Sequence, residues 1–268
     1  MISTLAHIHP NAKIGANVKV DPFAVIHEDV IIGEGSHIMS HAVLMDGAVI
    51  GKNCNIFPGA VIAAIPQDLK FVGEKTTAEI GDNTTLRECV TINRGTKEKW
   101  KTIVGSNSLL MAYAHVAHDC ILGNNVILAN AVQLAGHVEV GDHAIMGGLA
   151  GAHQFARIGA HTYIAGNTVV RKDVPPYVRA AREPMSYAGI NLVGLQRSGF
   201  SKEQIKDISD IYHLLFVDKH TTSGALNLIE STFNAGAERD AILEFIKSSK
   251  SGIIRRPSKT SVNEDNPF

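Results

Sequence analysis

Cysteine is scarce in this 268-residue chain, and Cys54, Cys89 and Cys120 stand far apart with no CxxC spacing. That speaks against a disulfide framework and reads as a reduced, cytoplasmic setting. An excess of either charge is also missing: 25 basic residues face 26 acidic ones. No global field therefore marks the chain as a nucleic-acid binder. No apolar run approaches the roughly 20 residues that a bilayer span needs, so membrane insertion is not expected. Nor does the opening MISTLAHIHPNAKIG carry a basic stretch followed by an apolar one, so no signal peptide is expected. The length suffices for a substantial core in one large or two smaller domains.

What the chain does have is a period. Stepping by six from Ile2 gives Ile8, Ile14, Val20, Ile26, Ile32 and onward to Ile158, Ile164 and Val170. Of these 29 positions, 25 carry Ile, Leu, Val or Met. Asp68, Glu74 and Glu98 break the phase and mark two excursions, near 63–79 and 97–103. Four residues after each aliphatic stands a small or β-branched residue, among them Cys54 and Cys120, which reads them as space fillers. Gly commonly follows the aliphatic directly, and Asn or Asp often comes next; both suit a tight corner. Neither a helix nor an alternating strand holds such a period, whereas hexapeptide repeats build parallel β-helices.

The hexads stop after Pro175-Pro176. Ser201-Lys202-Glu203-Gln204 has the form of a capping box, leading into Ile205, Ile208, Ile211, Tyr212 and Leu215 at helical spacing. Amphipathic stretches follow around 222–233 and 237–248, and the polar tail RRPSKTSVNEDNPF is expected to fray. The division expected is a β-helix over 1–176 and an α-helical domain with a polar tail over 177–268.

Three hexads per triangular turn stack residues 18 apart. His118, Gly136 and Gln154 then share one column, and Asp119 lies below His137 in the next, with His153 just before Gln154. Adjacent coils are about 4.8 Å apart, so these groups line one groove. Among 13 histidines, His7, His9, His27, His37, His41 and His161 read as solvated corner residues. A column joining His, Gly and Gln reads as more than decoration. Taken alone, it suits metal ligation or catalysis.

Several strings are specific: IPQDLKFVGE (65–74), TINRGT (91–96), LLMAYAHVAHDC (109–120), LAGHVEVGD (134–142), GGLAGAHQFARIG (147–159), RKDVPPYV (171–178) and GINLVGLQRSGF (189–200). Together they resemble the acyl-carrier-protein–UDP-N-acetylglucosamine O-acyltransferases of the lipid A pathway, over nearly the whole chain. Two departures stand out. Asn93 occupies a position where that family often has histidine, and the KEKWKTI excursion is shorter than in relatives.

The resemblance implies a left-handed β-helix and a homotrimer with sites between subunits. It implies transfer of a 3-hydroxyacyl chain from acyl carrier protein to the sugar 3-hydroxyl of UDP-N-acetylglucosamine, with no cofactor and no metal. A sugar hydroxyl needs a base near neutral pH, and histidine titrates in that range. By resemblance His118 is that base, Asp119 orients it, and the Gly136 N–H meets the oxyanion. Asp68 and Lys70 would bind the sugar and diphosphate, and His115, His137 and His153 would position sugar and acyl groups. Gln154, Asn191 and Arg197 match nucleotide-contacting positions, and Gly166 matches the position that opens or closes the acyl groove. Arg171, Lys172, Arg179 and Arg182 are candidates to receive an acidic carrier protein. Two alternatives stay open here: an acyltransferase acting on a 3-amino UDP-sugar, and a hexapeptide zinc enzyme of the carbonic anhydrase type using the HVAH spacing.

Overall fold

The computed structural model of the protein describes residues 1–218 and 220–255. The tail expected to fray lies, beyond Arg255, outside the described residues. Short strands, mostly of two residues, follow one another around a triangular prism and stack in register into three parallel faces. Face one begins with His7–Ile8, face two with Lys13–Ile14 and face three with Lys19–Val20. Along face one the stack runs through Val25–Ile26, Val43–Leu44, Val61–Ala64, Thr91–Asn93, His115–Val116 and Gln133–Leu134.

The period of six explains this shape. In each pair the second residue points inward, and Ile26, Leu44, Ile62, Ile92 and Val116 are wholly buried. Each such side chain contributes about 1.5–3 kcal/mol on leaving water. The small or β-branched residue four positions later (Ala24, Ala42, Cys54, Cys120, Val126) is buried as well and fills the apex. Corners turn through the left-handed backbone region: Asn53, Asn83, Asn107 and Asn125 have φ of 52, 56, 57 and 57°. Asn tolerates that conformation best after Gly.

Both excursions are insertions into otherwise regular coils. Val61 pairs with Thr91 and Thr91 with His115, offsets of 30 and 24 in place of 18, so the loops add 12 and 6 residues.

Residues 178–190, expected within the helical region, are strands. Val178–Ala181 continues face three, with Tyr163 opposite Arg179, and Ser186–Ile190 pairs back on it antiparallel. This last coil has 16 residues, so counting by six loses it. Its prolines cost no ladder bond, because Val174 and Ala160 carbonyls still accept from Gly159 and Tyr177. Helices α1 (Leu192–Arg197), α2 (Lys202–Phe216), α3 (Thr222–Thr232) and α4 (Ala237–Lys247) follow. Ser201 and Gln204 form the expected capping box at α2. Buried Tyr212 donates to the Pro176 carbonyl at 2.5 Å, tying α2 to the end of the prism. None of the described helices is long and apolar enough to cross a membrane.

Candidate active site

The coil carrying HVAHDC leaves face one after Val116, turns, and enters face two at Ile121–Leu122. His118 and Asp119 form that corner, and Asp119 takes the left-handed conformation with φ 59°. One coil later His137 repeats it at 63°, and Phe155 follows at 65°. The stacking expected from the 18-residue count is present: His137 N–H donates to the His118 carbonyl and Phe155 N–H to that of Gly136. His118 and His137 meet edge to face at 5.1 Å, and His137 stacks on Phe155 at 4.5 Å.

Gly136 has a steric reason. A Cβ there would lie 2.6 Å from His118 Cε1, 2.7 Å from Nε2 and 3.3 Å from Gln154 Nε2. The imidazole occupies the space that any other residue would fill. Among the described residues the Gly136 N–H has no acceptor, so its donor is unspent.

His118 and Asp119 are both buried, the carboxylate completely. His118 Nδ1 lies 2.9 Å from Asp119 Oδ2. A carboxylate only accepts, so Nδ1 carries a proton, and in the neutral ring that leaves the lone pair on Nε2, toward Gly136. Burial alone would push the Asp119 carboxyl up, but donors from Thr96 and His118 outweigh it and hold it below the ordinary carboxylate range. Burial lowers His137, against the opposing pull of Asp119 and Glu98. Burial also lowers His115, beside an imidazole of His118 that disfavours a second positive charge, and its Nδ1 pairs with Thr91 Oγ1 at 2.7 Å.

Among the described residues, the side-chain atoms close enough to share a metal ion belong to His118, Asp119 and His137, within 4.8 Å of one another. The HVAH pair is not that group. Asp119 Oδ1 already accepts from the Thr96 and Lys99 N–H groups, and Oδ2 from Thr96 Oγ1 and His118. An ion there would have to displace these donors, so the residues fit a base–orienter pair better than a metal centre. Cys120, wholly buried one residue on, has its thiol pushed up to about 12 by burial and is no nucleophile at neutral pH.

The other expected site residues divide among separate regions. Gln154 and His153 are exposed above Gly136 at the one–two corner. Asp68 and Lys70 stand in the first excursion, where Asp68 Oδ1 accepts from the Lys70 N–H at 3.0 Å. No hydrogen bond or ion pair joins them to the histidines among the described residues. Gly166 sits at the three–one corner, where a Cβ would lie 2.9 Å from the Gly148 carbonyl oxygen. Asn191 caps α1 and donates to the His161 carbonyl at 2.9 Å.

With Arg197 and Arg179, Asn191 lines a cavity of about 550 Å³ walled by Ile127, Ile145, Tyr163 and Leu192. That cavity flanks the two–three corner, where His161, half-buried rather than solvated, stacks on His143. Of the basic residues expected to receive a partner, Arg171 is paired with Glu183, and Lys172 donates to the Ser251 carbonyl.

Sequence reasoning overlooked Thr96, Glu98 and Lys99. Thr96 ends the TINRGT string, and the loop that follows delivers all three to Asp119, His137 and Glu139. Asn93 is buried, and its Oδ1 has no partner among the described residues.

Known proteins resemble this chain along most of its length. A family profile described as UDP-N-acetylglucosamine O-acyltransferase, domain 2, matches residues 173–254. The bacterial transferase hexapeptide profile matches 11–44, 29–64 and 101–134. A crystal structure of a UDP-N-acetylglucosamine acyltransferase from Bacteroides fragilis is 50% identical, with TM-score 0.94, covering 95% of this chain and 100% of that one. An acyl-[acyl-carrier-protein]–UDP-N-acetylglucosamine O-acyltransferase from Herminiimonas arsenicoxydans is 42% identical over 260 residues, 95% of this chain and 99% of the relative. Its namesake from Myxococcus xanthus is 43% identical over 200 residues, 74% of this chain and 78% of the relative.

Proposed function

This chain belongs to the UDP-N-acetylglucosamine O-acyltransferase family, and from that premise we propose that it moves an acyl chain from acyl carrier protein to the sugar by direct attack, with His118 as general base. The observation that carries the mechanism is the buried His118–Asp119 pair, with Nδ1–H tied to the carboxylate and Nε2 facing a bare glycine.

Nε2 takes the proton of the sugar 3-hydroxyl as its oxygen attacks the thioester carbonyl. Negative charge gathers on the former carbonyl oxygen, and the unspent Gly136 N–H is available to meet it. Collapse breaks the carbon–sulfur bond and expels the carrier thiolate, which takes the proton back from His118. The Asp119 carboxylate stabilises the imidazolium in between and keeps the ring from turning. With the Cys120 thiol pushed up to about 12 by burial, a covalent acyl-enzyme has no cysteine nucleophile at this corner.

A 3-hydroxyacyl donor, a place at the start of lipid A synthesis and a cytoplasmic setting complete the reading. Asp68, Lys70, His115, His137, His153 and Gln154 are its substrate contacts, with Gly166 bounding the acyl chain. Two regions have to converge on one substrate. His118 stands at the one–two corner, whereas Asn191 and Arg197 stand by the two–three corner, six residues of chain away, at most roughly 20 Å. On face two between them Arg157 binds Glu139 and Ser248, and these residues wall a separate cavity of about 520 Å³ with His137 and Phe155. In this reading the two sets are drawn from two copies, in a homotrimer with sites between neighbouring subunits. The cavity beside Arg197 has apolar walls suited to part of the acyl chain.

The test is turnover of purified protein with carrier-protein thioesters of several lengths, offered UDP-N-acetylglucosamine or its 3-amino analogue. Product from the 3-hydroxyl sugar, with a maximum at one 3-hydroxyacyl length, supports the reading. Product from the amino sugar alone overturns it.

A further inference from the structure

The second excursion adds six residues to its coil, and hydrogen bonds on both sides anchor it near His118. Gly95 N–H donates to the Thr77 carbonyl, Thr76 Oγ1 donates to the Gly95 carbonyl at 2.6 Å, and Trp100 N–H donates to the Thr96 carbonyl at 2.7 Å. A Cβ on Gly95 would stand 2.3 Å from the Lys101 nitrogen, so only glycine allows this closure. None of these contacts uses the Thr96 side chain.

That side chain, buried, turns the other way. Its hydroxyl accepts from the Glu98 N–H at 3.3 Å, which leaves its own hydrogen for Asp119 Oδ2 at 2.6 Å. The Thr96 N–H reaches Oδ1 at 2.9 Å and the Lys99 N–H reaches it at 3.3 Å. A carboxylate offers about four lone-pair sites. With His118 Nδ1 as the fourth donor, every one is occupied, and three of the four donors come from this loop.

We propose that Thr96 is a positioning residue for the acyl transfer, holding Asp119 in the one orientation that points Oδ2 at His118 Nδ1 and thereby fixes Nε2 as the base. The inference rests on the reading of His118 given above. A carboxylate filled on both oxygens has no capacity left for substrate or metal, so its role is to anchor the imidazole. Without the hydroxyl, Oδ2 keeps only the His118 donor, and rotation of the carboxylate is no longer opposed by a short bond. Lys99 and Glu98 extend the same loop outward, to Glu139 at 3.0 Å and to His137 at 3.8 Å. Thr102 Oγ1 accepts from the Asp119 N–H at 2.8 Å, but the Thr96 hydroxyl is the loop's only side-chain hydrogen bond to the Asp119 carboxylate.

The experiment compares Thr96→Val, which keeps shape and loses the donor, with Thr96→Ser, which keeps the donor. Thr96→Val should lower kcat roughly 10- to 100-fold, the scale of a hydrogen bond to a charged group, with KM for the UDP-sugar unchanged. Thr96→Ser should restore most of kcat. In an Asp119→Ala background Thr96→Val should cost nothing further, because its only route to the base is gone. Trp100, the chain's single tryptophan, lies in the same loop. Its quenching by acrylamide should match wild type, showing the loop in position. Where valine prevents folding, Thr96→Ala makes the same deletion and carries the same expectation. Wild-type kcat in the valine variant overturns the proposal, as does equal damage in valine and serine or a further loss on top of Asp119→Ala. His118→Ala is run alongside. If that variant retains turnover, the base assignment fails first and the proposal with it, whereas an inactive His118→Ala beside a fully active Thr96→Val sinks the proposal alone.

Discussion

Along the two–three corner the left-handed positions are filled by Asn83, Asn107, Asn125, His143 and His161, whereas along the one–two corner they are filled by Trp100, Asp119, His137 and Phe155. The backbone is the same at both corners. At the first, Asn83 donates to Asn107 at 3.2 Å, and the two histidines stack at 4.5 Å with planes 6° apart. The nearby Asp142 spends an oxygen on the Asn124 N–H. At the second, a wholly buried carboxylate takes four donors and hands one histidine a fixed tautomer. Stacked histidines make a ladder; a histidine tied to an anchored carboxylate, with a bare glycine at its free nitrogen, makes a base.

The largest expected effect separates the two corners directly. His118→Ala should cut turnover by about 10²–10⁴-fold, the range for a positioned base, while circular dichroism and oligomer size stay unchanged. Near-normal turnover would erase the distinction between the corners. Gly136→Ala tests the steric half of the argument. The added methyl would sit within 2.7 Å of two ring atoms of His118, so the imidazole must move. Displacing a reacting group by about 1 Å can cost on the order of 100-fold, and kcat should fall by about that amount with the fold retained. Wild-type kcat would mean that the ring position does not matter.

Arg197→Ala probes the other corner. It should weaken UDP-sugar binding by about 1.5–3 kcal/mol, as for a hydrogen bond to a charged group, read by calorimetry. An unchanged dissociation constant would return Arg197 to the helix surface. Mixing His118→Ala subunits with Arg197→Ala subunits sharpens the partition between copies. A site shared across an interface should regain activity in the mixed oligomer, and no gain would put both sets in one chain.

How much of this was legible in sequence follows from what is periodic. Interior aliphatics and the His118–Gly136–Gln154 column obey a spacing of 6 and 18, so counting alone located them. The coil from Tyr163 to Arg179 has 16 residues and dropped out of the count, and α1, with six residues, is too short to show a helical period. Thr96 was hidden for a related reason. An excursion has no period, and which carboxylate its hydroxyl meets depends on where Gly95 and Trp100 close the loop. The partition of site residues between corners escaped because Asn191 and Arg197 lie beyond the last hexad, where stacking arithmetic assigns no corner.

The smallest expected effect concerns stability rather than turnover, and it falls on the ladder corner. Burial, and after it the charge of His143, lowers the His161 pKa, against the opposing pull of Asp142. An unfolded histidine titrates near 6.5, so as pH falls through that value the unfolded chain takes up a proton that folded His161 still refuses. Stability is therefore lost on going down through this window, by at most about 1.4 kcal/mol per pH unit for one proton. His115 and His137, also lowered, add losses of the same sign. Asp21 and Asp119 do not enter, because carboxyls held below 3.8 give up their stability only at more acidic pH. His161→Phe removes one titrating group while an aromatic ring remains between His143 and Tyr177, and Phe155 already shows that phenylalanine adopts this corner backbone. The fall in Tm between pH 7.5 and 5.5 should be smaller in the variant than in wild type. An equal fall in both would mean that His161 takes its proton as readily folded as unfolded. A weaker UDP-sugar affinity in the variant would instead place His161 among the substrate contacts of the cavity it lines beside Arg197.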